Sequence, residues 1–338
     1  MNKETKRLLA GSFAACVLAG TLAGTATAQP APVKNTLGVV QLGSVKTAQV
    51  NAAGVSCRIG YISLTRTDMC LDARARVELF QNGKPVGSAT FEVKHSMSLK
   101  SNKLNWGESF TVGKATLSNA SGIRIGLSVG AGKGVKTKVN FSQGSTLGPA
   151  RTGSVKYTAG VGKKKTLSSP ASYRFTFTKP GYTAANISYA SAKFRCDDTF
   201  WSRDNKKRLK NPGCTFPSFA PTFSLSRTDA KVKESARHIA DAQKAIAGHP
   251  GASTPLHRIT NAKTIDQHRQ AMCGRTHAPQ GKDCDEYPFA ATKEGGNPRR
   301  GSIRVISSGD NRTAGARLGG FYKSQRVLNG DAYYVRIK

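Results

Sequence analysis

Residues near the C-terminus carry the oxygen donors that a hard cation needs. Residues 284–290 have the sequence Cys-Asp-Glu-Tyr-Pro-Phe-Ala, and Glu294-Gly295-Gly296 and Asp310-Asn311-Arg312 follow them. Carboxylate and amide oxygens bind hard divalent cations, and a basic surround attracts phosphate. The combination predicts metal-assisted attack on a nucleic-acid backbone.

Hydrolysis of a phosphodiester needs a base that activates water and a Lewis acid at the scissile phosphate. Asp285 or Glu286 is the candidate base, and the other acid is then a candidate metal ligand. Asn311 and Glu294 are further candidate ligands, and the expected ion is Mg²⁺ or Mn²⁺. Guanidinium groups bind phosphate through two parallel hydrogen bonds. The candidate DNA-binding residues are four arginines: Arg299, Arg300, Arg312 and Arg317.

Each candidate also has a structural interpretation. An adjacent Asp-Glu pair is most often a solvated turn, and Asn311 is typical of a helix cap or a turn. Glu294 precedes two glycines and so fits a solvated loop. A different hydrolase that uses His257 or His277 as its base is a further possibility.

The chain is long and strongly basic. It has 338 residues, with 52 Lys and Arg against 19 Asp and Glu, which gives a net charge of +33. This length favours two domains. Such a charge points to a polyanionic partner and says nothing by itself about catalysis.

Residues 1–28 have the pattern of a secretory signal peptide, with cleavage expected after Ala28. No later segment is long and apolar enough to predict membrane insertion, so we expect a secreted, extracellular product. Of the seven cysteines, Cys16 lies in the expected signal peptide and six remain. In an exported chain, an even number of cysteines favours disulfides over a zinc site. The short separations suggest three pairs: Cys57–Cys70, Cys196–Cys214 and Cys273–Cys284.

The elements that must position the candidate site change in character along the chain. Residues 29–55 are interpreted as a linker or lead-in, and residues 56–193 as a basic β-rich domain. Residues 173–178 alternate aromatic and polar side chains, and Asn82-Gly83 marks a hairpin turn. We predict six to eight antiparallel strands in a sandwich-like arrangement.

Beyond about residue 227 the pattern becomes mixed. An apolar stripe predicts a helix that Thr228 or Asp229 caps and that ends near Gly248. A shorter helix is expected around residues 265–272, strands at 287–291, 303–307 and 332–337, and a helix at 313–323. The stripe consists of Val232, Ala236, Ile239, Ala242 and Ile246.

Two basic runs stand out in the first region, Lys163-Lys164-Lys165 and Lys206-Lys207-Arg208. They are either solvated loop tips or a non-specific grip on a polyanion. In the second interpretation, Trp201 is a candidate stacking partner for bases.

Several C-terminal motifs occur together: the acidic run 284–290, residues 294–296 and residues 310–312. Segments 232–239, 319–322 and 326–331 support them. As a set, roughly over residues 194–338, they resemble the secreted NucA/NucB-type deoxyribonucleases. That stretch is therefore expected to form the nuclease domain.

The resemblance implies a metal-dependent, largely sequence-nonspecific endonuclease with a ββα-metal type core. It implies that Asp285 is the base, that Glu286 is the adjacent acid, and that Asn311 is the amide at the start of the metal-binding helix. This chain has no acid on that helix after Arg312. A metal carboxylate must therefore come from residues 285–294 or from Asp310.

The fold class predicted is α+β, with a β-sandwich-like domain followed by a small α+β nuclease domain. The predicted function is a secreted endodeoxyribonuclease with DNA as its substrate, and no protein partner is implied. The alternative is a secreted, non-catalytic protein that binds a polyanion, either DNA or cell wall, through a nuclease-like domain.

Overall fold

The computed structural model describes residues 35–42, 46–49, 55–202 and 204–338. The expected signal peptide, residues 1–28, and its cleavage point lie outside these ranges. The described residues form a mixed structure in which strands outnumber helices, and the three α-helices found there all follow residue 230.

Strands dominate the N-terminal region. They are β1 Asn35–Leu42, β2 Lys46–Gln49, β3 Tyr61–Leu64, β4 Asp68–Gln81, β5 Lys84–Ser98, β6 Asn105–Val112, β7 Thr116–Ser118, β8 Arg124–Gly130, β9 Val135–Asn140, β10 Ser145–Thr146, β11 Arg151–Ala159, β12 Thr166–Ser169, β13 Ser172–Thr178, β14 Ala185–Ala190, β15 Phe194–Asp197 and β16 Gly213–Thr215. The expectation of six to eight strands was too low, because strands of two to four residues are too short to show an alternating pattern.

Two sheets share one hydrophobic core, and their strands pair antiparallel except for β2 with β3, which are parallel. The larger has the strand order β2-β3-β4-β5-β6-β11-β9, with β1 paired to β4 and β7 to β5, and the smaller has the order β10-β8-β13-β14. Tyr173, Phe175 and Phe177 of β13 are all buried, which confirms the prediction that these rings share one sheet face. The core runs from Leu37 to Phe216.

Part of the expected lead-in is structured. β1 pairs with β4 from Asn35↔Gln81 to Leu42↔Ala75, and Leu37 is buried in the core. The low charge and small side chains of this segment are typical of a linker. Its pairing is a long-range contact that composition does not reveal.

The β4–β5 hairpin turns where the sequence placed it. Asn82 and Gly83 lie between the two strands with φ of 52° and 76°. Two successive positive φ angles are typical of the type I′ turn, whose twist matches that of paired strands.

The C-terminal region combines three helices with short strands. Its elements are β17 Thr222–Leu225, α1 Lys233–Ala245, β18 Leu256–His257, α2 Ala262–Cys273, β19 Lys282–Tyr287, β20 Ser302–Ser307, α3 Ser308–Ser324 and β21 Ala332–Ile337. β19 and β20 form an antiparallel hairpin, and β21 lies between β17 and β18. The strand expected at 287–291 lies earlier in the chain, at Lys282–Tyr287. It ends before Pro288, which has no N–H to donate to the ladder.

Helix α1 packs through the predicted stripe into a second core. Four stripe residues are buried, namely Val232, Ala236, Ile239 and Ala242, and Ile246 is partly buried against them. The helix begins at Lys233 with Val232 at its N-cap and no side-chain cap from its own segment. Neither Thr228 nor Asp229 therefore caps it.

This second core begins at Phe223. Residues 194–216, which the sequence assigned to the second region, pack instead with the first core.

Buried arginines join the two regions, which belong to one compact unit, Lys34–Lys338. The side chain of Arg326 is fully buried, and its Nε donates to Oδ2 of Asp197 at 2.7 Å. Arg66 and Arg195 both donate to Asp331. Burial lowers the pKa of Arg66 to about 10, while Asp331 opposes the shift. The segment that follows α3 is thus held by charged side chains of the β-rich region.

Three disulfides connect the pairs that the sequence suggested: Cys57–Cys70, Cys196–Cys214 and Cys273–Cys284. Each closes a short loop, which is worth about 3 kcal/mol in the chain-entropy model. Among the helices within the described ranges, none has both the length and the apolar character to span a bilayer.

Candidate active site

Strand β19 and helix α3 border a cavity of about 590 Å³, with further lining from β17, α1 and α2. Asp285 and Glu286 lie on β19 and Asn311 lies in the first turn of α3, and all three line this cavity. Adjacent strand residues face opposite sides, so Asp285 is directed to α1 and Glu286 toward the disulfide at the end of α2. The three residues predicted to be catalytic thus line one cavity, with Asp285 and Glu286 directed to different sides of β19.

Asp285 is braced by a buried histidine. Its Oδ2 lies 2.7 Å from Nδ1 of His238 on α1, and Nε2 of that ring lies 3.0 Å from Oγ of Ser302 on β20. A neutral imidazole satisfies both contacts when Nδ1–H donates to Asp285 and Nε2 accepts from Ser302. Among the described residues, the Asp285 carboxylate is contacted through Oδ2 by His238, and no described residue donates to Oδ1.

The sequence did not single out His238 as a functional residue. It lies one position before Ile239 on the flank of the apolar stripe, and its partner is 47 residues away. Local periodicity therefore places His238 next to the buried face of α1 without showing that β19 lies opposite.

Glu286 is half-buried and has no histidine partner. Burial raises its pKa to about 7, the charge of Asp285 adds to the rise, and Arg269 opposes it. Its Oε2 lies 3.9 Å from Sγ of Cys273, a contact without a hydrogen bond because a disulfide sulfur carries no proton. Glu286 can therefore gain or lose a proton near neutral pH.

Two carboxylates fix the start of α3 against the start of α1. Asp310 accepts hydrogen bonds from the backbone N–H of Glu234 at 2.8 Å and of Ser235 at 3.0 Å. Glu234 in turn accepts from the N–H of Ser307, at 3.0 Å. Each helix thus supplies the acceptor for free N–H groups at the other's N-terminus. Asp310 accepts these hydrogen bonds and does not line the cavity, so we do not propose it as a metal ligand.

Glu294 lies elsewhere. Its two carboxylate oxygens accept from the backbone N–H of His257 at 2.9 Å and contact Nδ1 of the same residue at 2.7 Å. Neither residue lines the cavity. The structure therefore does not bring Glu294 to the other candidate metal ligands, and it uses His257 to fix a loop.

Only one of the four candidate DNA-binding arginines lines the cavity. Arg312 does so, and it forms a two-point ion pair with Asp283 at 3.1 and 3.2 Å. Arg317 is paired with Asp229 at 2.6 Å. Arg299 and Arg300 lie in a single 3₁₀ turn that borders a separate depression beside the end of α1.

Two basic residues that the sequence did not select, Arg269 and Lys282, line the cavity beside Arg312. Arg269 lies on α2 and Lys282 opens β19. No local motif marks either residue, because their place at the cavity depends on how α2 packs against the hairpin.

The remaining histidines have structural environments or lie outside the cavity. Nδ1 of His249 lies 2.7 Å from the carbonyl oxygen of Gln243, and Nδ1 of His268 lies 2.9 Å from that of Ala290. His277 is exposed and does not line the cavity. The hydrolase based on His257 or His277 gains no support from this arrangement.

The donors of the cavity fit a hard divalent cation. Glu286, Asn311 and Oδ1 of Asp285 offer only oxygen, which Mg²⁺ and Mn²⁺ prefer. The charge of Asp285 raises the pKa of Glu286, a repulsion that a cation would relieve. Within the described part of the chain, no group of three or more His, Cys, Asp and Glu side chains converges to hold a metal.

Residues 242–336 match the family model of Deoxyribonuclease NucA/NucB. The match begins inside α1, just after His238, and contains Asp285, Glu286 and Asn311. It confirms the resemblance over this range, while residues 194–241 and the β-rich region lie outside it. A comparison with curated proteins found no match.

Proposed function

We propose that the protein is a secreted, metal-dependent endodeoxyribonuclease that hydrolyses phosphodiester bonds of DNA with little regard to sequence. The observation that carries this proposal is the cavity between β19 and α3, which Asp285, Glu286 and Asn311 all line and where His238 holds the Asp285 carboxylate through Oδ2. The family match over the same residues supports the reaction class.

Asp285 is the proposed general base. Its Oδ1 accepts a proton from the attacking water, a contribution typically worth about 10²–10⁴-fold in rate. His238 is fully buried, so it cannot reach the substrate. It acts as a positioning residue, because its N–H fixes Oδ2 and thereby aims Oδ1 at the cavity.

Glu286 and Asn311 are the proposed ligands of a Mg²⁺ or Mn²⁺ ion. When bound, such an ion polarises the scissile phosphate and stabilises charge on the leaving oxygen. A carboxylate binds a metal in its ionised form, so loading the site releases the proton that burial favours on Glu286.

The basic side chains around the cavity are proposed to hold the phosphates that flank the scissile bond. The ion pair of Arg312 with Asp283 is exposed on the arginine side, and such pairs contribute about 0–1 kcal/mol. Arg312 can therefore exchange Asp283 for a DNA phosphate as its partner at little cost in free energy. Phosphate contacts do not report base identity, which agrees with a sequence-nonspecific enzyme.

Export is the proposed setting. Three disulfides are typical of proteins that fold in an oxidising compartment, and the expected signal peptide agrees with them.

The test is cleavage of supercoiled plasmid by purified protein over a series of Mg²⁺ and Mn²⁺ concentrations, with and without EDTA. We expect nicked and then linear DNA with metal, and intact plasmid in EDTA. Cutting that persists in EDTA contradicts the metal requirement. Salt-sensitive retention of DNA without cleavage at any metal concentration supports the non-catalytic alternative instead.

A further inference from the structure

The fold brings together two basic runs that lie far apart in the sequence. Nζ of Lys163 lies 4.2 Å from the centre of the Trp201 ring, and the guanidinium carbon of Arg208 lies 4.8 Å from it. We call the six side chains of these runs the Trp201 surface. Its members are Lys163, Lys164, Lys165, Lys206, Lys207 and Arg208, all of them exposed.

A buried aspartate holds this surface in place. Asp198 is 2% exposed and accepts from Nε and Nη2 of Arg208 at 3.1 and 2.9 Å. Its carbonyl oxygen accepts from Nε1 of Trp201 at 3.0 Å and from the N–H of Lys164 at 2.8 Å. One residue therefore fixes the ring and both basic loops, so the surface is more than two solvated loop tips.

The charge of the surface is largely uncompensated. Arg208 is neutralised by Asp198, but none of the five lysines forms an ion pair with any described residue. Holding like charges together raises the free energy of the folded state unless a polyanion offsets the repulsion. Two cations cover the Trp201 ring, which leaves it poorly suited to the base stacking that the sequence suggested. This arrangement favours phosphates over bases.

The surface lies near the end of α3, whereas Asn311, the proposed metal ligand in the cavity, lies at its start. Asp197, next to Asp198, receives the guanidinium of Arg326 just after α3, whereas Asn311 lies in the first turn. The 17 residues of α3 span about 25 Å. At about 3.4 Å per base pair, this length corresponds to about seven base pairs of duplex.

We propose that the Trp201 surface is a second DNA-binding site, which grips the phosphate backbone away from the cleavage cavity. The proposal rests on the proposed function only for the identity of the polyanion. Because the two sites are separated by several base pairs, a long duplex contacts both, whereas a very short one contacts only one.

The test measures binding without cleavage, in EDTA, by fluorescence anisotropy of a labelled duplex of about 24 base pairs over a salt series. The variant is Lys163→Gln, Lys164→Gln, Lys165→Gln. The matched control is Lys136→Gln, Lys138→Gln, Lys156→Gln, which removes the same charge from exposed positions of β9 and β11. Lysines on an edge strand such as β9 are a common protection against edge-to-edge pairing.

We expect the first variant to lose affinity by about tenfold or more at low salt, with a log–log salt slope shallower by up to about 3, because each lost phosphate contact removes about 0.9. The control variant should stay close to wild type. Equal losses in both variants would mean that only net charge matters, and no loss in the first would exclude the site. Either result overturns the proposal.

A second arm uses a hairpin with a stem of about six base pairs, too short to span the two sites. The first variant should lose much less affinity for this hairpin than for the 24-base-pair duplex, because the hairpin never gains from binding both sites at once and the cavity still binds it. Its readout is affinity, so failure of this inference is distinct from failure of the proposed function, which the plasmid assay reports. Circular dichroism and the melting temperature show that each variant is folded.

Discussion

The chain contains two buried histidine–carboxylate pairs with different surroundings. In the β-rich core, Nδ1 of His95 lies 2.5 Å from Oε1 of Glu108, and Tyr157 and Tyr173 both donate to the other oxygen. Nε2 of His95 contacts the hydroxyl of Tyr189 at 2.6 Å. Burial raises the pKa of both Tyr173 and Tyr189 well above its usual value, so these hydroxyls stay protonated.

The second pair, His238 with Asp285, uses only one carboxylate oxygen. Oδ2 contacts the histidine, no described residue donates to Oδ1, and Asp285 lines the cavity. Buried polar groups need partners, and Glu108 has them on both oxygens, whereas Asp285 has a described partner on one. The difference agrees with the proposed roles, a structural network around Glu108 and a base at Asp285.

The largest effect is expected at the second pair. Asp285→Asn keeps an acceptor for His238 but removes the base, so kcat/KM on a labelled duplex should fall by about 10²–10⁴-fold with little change in the melting temperature. The matched control is Asp283→Asn, two residues away on the same strand, which should retain most activity. Similar losses of kcat/KM in Asp285→Asn and Asp283→Asn would contradict the assignment of Asp285 as the base.

Disrupting the first pair, His95 with Glu108, should lower stability and leave activity nearly unchanged. Glu108→Gln removes the charged partner of His95 and unbalances two tyrosine donors, so we expect a loss of about 3 kcal/mol in the free energy of unfolding. Urea denaturation measures this loss. Activity per folded molecule should stay near wild type, and a loss of activity greater than the loss of folded protein would show that this pair is not purely structural.

His238 tests how the second pair is connected to catalysis. His238→Ala removes the donor that aims Asp285, and we expect kcat to fall by about 10–100-fold while KM changes little. His238→Asn, whose amide can donate near the position of Nδ1, should recover part of kcat. If Ala and Asn variants are equally impaired although both are folded, the histidine has another role.

The last prediction concerns Glu286 and the way in which the free energy of unfolding changes with pH when no metal is bound. Its pKa is about 7 in the folded protein against an ordinary 4.5, so between these values the unfolded chain releases a proton that the folded chain keeps. Stability should therefore decline as pH rises through this window, by at most about 3 kcal/mol. In EDTA, Glu286→Gln should lack this decline, as thermal melts from pH 4.5 to 8 would reveal. If the stability of wild type and of Glu286→Gln changed with pH in the same way, the buried environment of Glu286 would be contradicted.

Local patterns were enough for elements whose signal lies within a few residues. The Asn82-Gly83 turn, the stripe of α1 and strand β21 at 332–337 all follow from short-range periodicity or turn chemistry. Short separations also suggested the disulfide pairs. The strand β1 was missed because its partner β4 lies far away in sequence.

The candidate site was predicted in part. Asp285, Glu286 and Asn311 line one cavity as expected, because a hairpin followed directly by a helix places them together. His238, Arg269 and the capping role of Asp310 depend on how distant helices pack, which spacing does not report. Glu294 had suitable chemistry for a ligand, but its loop folds back on His257.

The most direct test compares the two pairs in one experiment. Single-turnover cleavage of a labelled duplex in Mg²⁺ is measured for Asp285→Asn and Glu108→Gln, each rate divided by the folded fraction of the same sample. The account predicts that the Asp285 variant is at least about 100-fold slower than the Glu108 variant. Equal rates per folded molecule would contradict the assignment of Asp285 as the base in this cavity.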